Sequence, residues 1–422
     1  MLPNAFNRNN LAGILGNALE WYDFLVYASL APVLAELFFP NKDPFVALML
    51  TFSVFAGGFF VRPLGGLMLG HMGDKLGRKR VLIISITTMA LTSLGIGLLP
   101  TYAQIGIAAP LLIIVLRLLQ GFVIGIELCT ASCFLVENAD SQYRGFAASL
   151  VMAGAHFGAF AGQLSAGIIA YPAIAQALGA SAWRAPFLLG GILGLVGLRI
   201  RLRCDESKEF SQTRQTAEPL EKLAGHIGSL VQIVFLTSVM SVGNYFLLTY
   251  FSNFFAVTKH FPGYLASSMV ALGTLVAVVT IPFFGLLSDR RGRYPIFVTA
   301  LVVMLICAYP VFLLVASTNV AIATAGVVIF ALMIAPIGAL IPVMMTEIFP
   351  VGVRNRASGV SYNISLAIFG GTAPLVALGL RQWTKLDTAP AFYIMACAAL
   401  SLMTMLTLRG RLTMVRLIRK AN

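Results

Sequence analysis

Apolar residues in this chain neither alternate nor recur on one helical face; they run without a break for twenty or more positions at a time. Bounded by charge, Pro or Gly clusters, these runs predict twelve helices near 11–38, 46–70, 81–99, 106–136, 146–171, 183–202, 230–256, 262–287, 295–316, 319–346, 358–380 and 387–408. About 20 apolar residues carry a helix across a bilayer, so each run is a candidate membrane span, numbered 1 to 12 here. A pore-forming barrel is excluded, because its strands would alternate apolar and polar residues. The apolar stretch from Leu11 is too long for a cleavable signal core, so span 1 is expected to stay in the mature protein.

Composition agrees with the pattern: 59% of the 422 residues are hydrophobic and 11% charged, against roughly 25% charged in soluble domains. The formal net charge of +13 would suggest nucleic acid in a soluble protein, but the basic residues gather in short segments between spans. There they face lipid headgroups and fix topology, and nucleic acid is not expected as a partner. With both termini inside, the inner segments hold 22 Lys and Arg and the outer ones five. The sequence therefore predicts a multi-pass protein of the cell (cytoplasmic) membrane with both termini in the cytoplasm. Cys129, Cys133, Cys204, Cys307 and Cys397 lie in or beside apolar runs without metal-ligand spacing, and read as reduced packing residues.

The longest polar stretch, Arg203 to Gly228, separates six spans from six. This predicts an N-terminal bundle (1–202), a cytoplasmic linker (203–229), a C-terminal bundle (230–408) and a basic cytoplasmic tail (409–422) that anchors to headgroups. The halves repeat. Gly70, Asp74, Gly77, Arg78 and Lys79 after span 2 match Gly285, Asp289, Gly292 and Arg293 after span 8, with the two Asp 215 positions apart. Glu137 and Arg144 after span 4 match Glu347 and Arg354 after span 10, offset by 210. Such duplication is typical of secondary transporters, in which two bundles rock about a midplane site.

The twelve-span duplication and the Gly-x-x-x-Asp-x-x-Gly-Arg-Lys loop resemble the major facilitator superfamily. Further stretches resemble its metabolite:proton symporter family, which includes citrate, α-ketoglutarate, shikimate and proline/betaine carriers. They are Gly16-Asn-Ala-Leu-Glu20-Trp21-Tyr22-Asp23-Phe24, Phe38-Phe39-Pro40, Arg62-Pro63-Leu64-Gly65-Gly66, Leu99-Pro100-Thr101-Tyr102 through Ala109-Pro110, Arg117-Leu-Leu-Gln120-Gly121 and Trp183-Arg184-Ala-Pro186-Phe187. The resemblance implies an all-α membrane protein with twelve transmembrane helices in two six-helix bundles. The chain departs from the family at Gly125-Ile126-Glu127, where members usually show Gly-Gly-Glu, and at His156, where an uncharged polar residue is usual. It also has only 14 residues after Leu408, whereas osmosensing proline/betaine carriers have a long coiled-coil tail, so osmosensing of that type is not expected.

An ionised side chain at the bilayer centre costs at least roughly 2.5–3.5 kcal/mol, which makes intramembrane charges functional candidates. Glu20, Asp23, Arg62, Arg117 and Glu127 are such charges, all in the first half. Asn17, Glu20, Asp23 and Tyr27 form one polar stripe on span 1, where two carboxylates a turn apart repel and one of them is favoured to take a proton. Arg117, Gln120 and Glu127 share a face of span 4, but Arg117 and Glu127 stand about 15 Å apart along the axis and need other partners. Asp23 or Glu20 is the natural counter-ion for Arg117, either as a permanent structural pair or as one that a substrate carboxylate can open. Arg62, beside Pro63, either snorkels to the headgroups or meets substrate. His156 reads as a second proton carrier or a packing residue. Ser241, Asn244, Tyr245 and Thr249 on span 7, with Tyr362 and Asn363 on span 11, offer uncharged hydrogen bonds and aromatic walls. Asp74, Gly77, Arg78 and Lys79, with Asp289 and Arg293 as the weaker copy, read as gating loops.

The expected function is proton-coupled import of a small carboxylate or zwitterionic solute by alternating access. Asp23, Glu20 and Glu127 would couple protons, and Arg117, Arg62, Gln120, Asn17, Tyr27, His156, Asn244, Tyr245, Tyr362 and Asn363 would bind substrate. The alternatives are a proton-driven exporter and a non-transporting receptor on the same fold. Drug/proton antiporters usually carry a Gly-Pro signature in span 5, whereas here Gly154, Gly158 and Gly162 recur without a Pro after them. An enzyme is not expected, nor a metal or cofactor. The expected partners are the substrate, protons and lipid, and the expected state is a monomer.

Overall fold

The computed structural model describes residues 8–41, 43–170, 172–206, 210 and 223–421. Lys42, most of the linker and the side chains of Arg8 and the basic tail lie outside the described residues. Among the described residues there is no strand. A lipid-exposed backbone must satisfy its N–H and C=O groups internally, and a chain of long apolar runs does so as helices.

Span 1 is Arg8–Ser29 with Ala31–Phe38, span 2 Pro44–Leu76, span 3 Arg78–Leu98, span 4 Ala108–Asn138, span 5 Arg144–Ala170 and span 6 Arg184–Leu202. Span 7 starts as Ile227–Tyr245 and continues to Thr258, and span 8 is Gly263–Arg291, span 9 Arg293–Val315 and span 10 Val320–Ile348. Span 11 starts as Arg354–Ser365 and ends as Ala373–Thr384, and span 12 is Pro390–Ala421, so the basic tail continues the last helix. Ten of these stretches are long and apolar enough to cross a membrane, and the bent pair of span 1 is an eleventh. Span 2 is a helix of 33 residues.

Two departures from the expected spans have local causes. Span 1 bends by 67° between its two pieces, where Pro32 in the first turn of the second piece has no N–H to continue the ladder. Spans 7 and 11, both in the second half, contain π-helical turns, Phe246–Tyr250, Phe254–Thr258 and Leu366–Gly370.

Packing repeats with the sequence. Within the first half span 1 packs on spans 5 and 6, 2 on 4, and 3 on 4 and 6; within the second, 7 packs on 11 and 12, 8 on 10, and 9 on 10 and 12. Each pair is the other shifted by six spans. The halves meet where 2 packs on 11 and 5 on 8, a crossing that the same shift maps onto itself. Spans 1 and 5 approach most closely along Gly154, Gly158 and Gly162. A Cβ at Gly158 would lie 2.6 Å from the carbonyl carbon of Ala18, and one at Gly162 2.6 Å from the carbonyl oxygen of Tyr22. Small residues four apart let two backbones touch where lipid supplies no hydrophobic drive for association.

Candidate functional site

Spans 2 and 4 are drawn together in the same way: a Cβ at Gly121 would stand 2.7 Å from Cα of Gly58, and one at Gly125 2.9 Å from Cα of Arg62. This contact turns Arg62 and Arg117, one from each span, toward a single pocket. Phe24, Gly58, Phe59, Gln120, Gly121 and Ile124 line the rest of it. Both arginines are buried, and Arg62 does not snorkel to the surface.

Arg117 reaches the span 1 carboxylate through an intermediary. Its Nη1 donates to Oε1 of Gln120 at 2.6 Å, and Nε2 of Gln120 donates to Oδ2 of Asp23 at 2.7 Å. Ser93 of span 3 donates to the same carboxylate oxygen. The Arg117 guanidinium also stacks over Tyr27, 3.8 Å from the ring centroid, while the Tyr27 hydroxyl donates to the carbonyl of Thr51 at 3.3 Å. One turn away on span 1, Glu20 lies within electrostatic reach of Arg62, and its buried Oε2 has no hydrogen-bond partner among the described residues. Arg62 itself sits over the ring of Phe59 at 4.2 Å and that of Phe24 at 5.6 Å. Tyr245 of span 7 packs on both rings, at 5.9 and 6.3 Å, and Tyr362 lies within reach of Glu20 and Arg62. The polar stripe thus supplies each arginine with an acid, Asp23 for Arg117 and Glu20 for Arg62.

Other predicted site residues are held elsewhere. Asn17 donates to the carbonyl of Val151 at 2.8 Å, tying span 1 to span 5. The Nδ1 of His156 lies 3.0 Å from the carbonyl of Met152 in its own helix. Asn363 donates to the carbonyls of Gly125 and Gly359, bridging the halves, and Asn244 is buried in span 7. Glu127 finds its partner in Arg201, which also donates to the carbonyl of Leu82, and accepts from Ser85. Arg201 occupies the last turn of span 6 and is buried.

The loops after spans 2, 4, 8 and 10 meet at one end of the molecule and close it. Arg78 donates to Asp74 at 2.9 Å, to Glu137 at 3.1 Å and to the carbonyl of Val351 at 3.0 Å. Asp74 accepts from the amides of Asn355 and Arg356, at 3.1 and 3.0 Å, at the start of span 11. The copy is faithful: Arg293 donates to Asp289 at 2.7 Å and to Glu347 at 3.2 Å, and Asp289 accepts from the amides of Gly145 and Phe146 at the start of span 5. Gly77 and Gly292 take positive φ, 109° and 96°, at the start of spans 3 and 9, a conformation that favours glycine. Lys79 takes part through its backbone amide, which with that of Arg78 donates to Glu206 of the linker. Glu206 was not among the expected gating residues; a carboxylate at a helix N-terminus satisfies orphan donors and complements the dipole.

Comparison with known proteins agrees with the fold. The sequence model of the Major Facilitator Superfamily matches residues 14–374. The glycine betaine/proline/ectoine/pipecolic acid transporter OusA of Dickeya dadantii (strain 3937) is 35% identical over 417 residues, covering 93% of this chain and 81% of OusA. The proline/betaine transporter of Escherichia coli (strain K12) is 32% identical over 421 residues, covering 94% of this chain and 82% of that protein. Among solved structures, the proton:xylose symporter XylE bound to 6-bromo-6-deoxy-D-glucose superposes with a TM-score of 0.76 at 17% identity, over 96% of this chain and 95% of XylE. At that identity the likeness concerns the fold.

Proposed function

The chain belongs to the major facilitator superfamily and is a multi-pass membrane transporter, not an enzyme, and we propose that it imports a small carboxylate or zwitterionic solute together with protons across the cell membrane. The observation that carries this reading is one pocket flanked by two buried arginines, each with a buried acid of span 1 beside it. A substrate carboxylate competes for the Arg117 guanidinium as a charge-assisted, bidentate acceptor. Gln120 then loses its link to Arg117, and Asp23, left without that stabilisation, takes a proton in place of it. Substrate and proton cross together when residues 1–202 and 230–408 rock about the pocket, joined by the 203–229 linker. Both termini and the Asp74 and Asp289 loops face the cytoplasm in this reading, so the described arrangement is closed to the inside. The names of the curated relatives, carriers of betaines, proline and ectoine, support a small zwitterion.

The test is internal pH in proteoliposomes of purified protein while citrate, α-ketoglutarate, shikimate, proline, betaine and other amino acids are added outside one at a time. Acidification with one solute, lost in Asp23→Asn, is the expected result. No acidification with any solute, alongside active control carriers, overturns the reading.

A further inference from the structure

The two acids of the span 1 stripe stand in opposite surroundings. Asp23 accepts two hydrogen bonds on Oδ2, from Gln120 at 2.7 Å and from Ser93, leaving Oδ1 without a partner among the described residues. Glu20, one turn nearer the N-terminus, is also buried, but its Oε2 accepts none among the described residues. Arg62 is the cation in its reach, yet the guanidinium rests on ring faces, 4.2 Å from the centroid of Phe59 and 5.6 Å from that of Phe24. The Tyr245 hydroxyl, within reach of both groups, is buried without a partner among the described residues, and Tyr362 lies within the same reach. Glu20 and Arg62 belong to the first half of the molecule, Tyr245 and Tyr362 to the second. The other elements around Glu20 have their charges occupied. Glu127 of span 4 and Arg201 of span 6 hold each other, and Ser85 and Ser93 of span 3 serve Glu127 and Asp23. Cys129 of span 4 is a free, buried thiol, and span 5 meets span 1 through Gly154, Gly158 and Gly162.

We infer that Glu20 carries a second proton, held while Tyr245 and Tyr362 cover it and released against Arg62 when they withdraw, so that two protons accompany each solute. This rests on the transport reading above and adds to its proton at Asp23. An ionised carboxylate in a dry site is costly without donors, whereas the neutral acid is not, so donor-rich Asp23 and donor-poor Glu20 suit opposite protonation states. The position of Arg62 fits the same assignment. Beside a neutral acid a guanidinium gains from ring faces; beside an ionised one it gains more from charge-assisted hydrogen bonds to the carboxylate. Rocking of the halves supplies the trigger. Opening to the cytoplasm carries spans 7 and 11 away from spans 1 and 2, water takes the proton from Glu20, and the carboxylate draws Arg62 off the rings into a pair with no net charge. Opening to the outside lets outer water return the proton, and Arg62 goes back to Phe59 and Phe24. Asp23 thus trades its proton against the bound solute and Glu20 against the position of the second half, which makes them two sites and not a relay for one proton.

The experiment measures the solute gradient that a fixed proton gradient supports, in proteoliposomes held at zero membrane potential with one pH unit between the two sides, using the solute that acidifies liposomes in the panel above. At equilibrium one proton per solute supports about tenfold accumulation and two support about a hundredfold. The parent is expected near a hundredfold and Glu20→Gln near tenfold. About tenfold in the parent, or about a hundredfold in Glu20→Gln, overturns the second proton while the transport reading stands. A measurement that needs no solute runs beside it: infrared absorbance of protonated carboxyl groups in the purified protein at neutral pH. A band present in the parent and in Asp23→Asn but missing from folded Glu20→Gln is the expected result. Absence of the band from the parent, or its persistence in Glu20→Gln, overturns the inference even where that variant moves no solute. If the Glu20 band is found but no panel solute moves protons, the transport reading fails and the proton site stands.

Discussion

Arg354, at the start of span 11, donates to Glu137, at the end of span 4, at 3.1 Å across the boundary between the two halves. Glu137 Oε1 also accepts from Arg78, so one buried carboxylate oxygen holds two guanidinium groups from different halves. The closed end depends on it more than on any exposed ion pair, since removing one partner of a buried pair leaves an uncompensated charge and costs about 3–5 kcal/mol.

Glu137→Gln should therefore open this end. The amides of Asn355 and Arg356 donate to Asp74 only while the halves are closed there. Hydrogen exchange of residues 352–360 is expected to accelerate by tenfold or more in the variant, roughly the factor that 1.4 kcal/mol supplies. Exchange at the parent rate would show that the network does not hold the gate.

The Asp23, Gln120 and Arg117 chain makes a separate prediction about coupling. Hydrogen bonds to charged groups contribute about 1.5–3 kcal/mol, so Arg117→Ala should weaken binding of an anionic or zwitterionic substrate by roughly 10- to 100-fold. Asp23→Asn should abolish proton-driven accumulation while substrate exchange persists. Gln120→Ala, which breaks the chain without removing a charge, should reduce the proton-to-substrate ratio measured as acidification per solute taken up. Normal gradient-driven uptake in all three variants would remove the ion-switch mechanism.

Glu127 and Arg201 bear on a different question, whether a buried acid of span 4 serves coupling or structure. Glu127→Gln takes the carboxylate charge away from the buried Arg201 guanidinium, and should lower stability by about 3–5 kcal/mol. Replacing both residues by Leu should recover most of that loss, because well-packed apolar residues often substitute for a buried pair at little cost. Thermal unfolding of the single and double variants reads this. If the stable double variant still acidifies liposomes with substrate, Glu127 is not in the proton path.

This pair also marks where the sequence stopped being legible. The spans, the two-fold repeat and the polar stripe could be read because each is a run, a repeat or a spacing along the chain itself. The Arg201 partnership stayed hidden because Arg201 lies between Arg199 and Arg203, and a basic cluster at a span end looks the same whether a side chain points to headgroups or folds back to Glu127. The bend in span 1 had its signal, Pro32, inside a run that otherwise read as one helix. Nothing in the pattern announced the π-helical turns or the rings around Arg62, since Phe24 and Phe59 stand in spans where Phe is ordinary and Tyr245 is distant in sequence. The capping carboxylate of Glu206 was hidden in a linker whose charges all looked equally solvated.

The opposite end of the molecule offers a prediction about pH. Asp387, before span 12, accepts from Lys259 at 2.8 Å and from Arg381 at 2.8 Å, and Arg381 also donates to Thr258. Partial burial pushes the Asp387 carboxyl up, but the hydrogen bonds and charges of Lys259 and Arg381 outweigh it and hold the group below the usual carboxylate range. An acid whose folded value is depressed contributes stability above its unfolded value, near 3.9, and loses it as pH falls through the folded value. Asp387→Asn should therefore lower the melting temperature of the detergent-solubilised protein at neutral pH, modestly because the side chain is over a third exposed to solvent. The difference from the parent should shrink as pH is taken below the usual carboxylate range and stay constant between pH 6 and 8. A difference that instead varied across neutral pH would mean that another group titrates with this clamp.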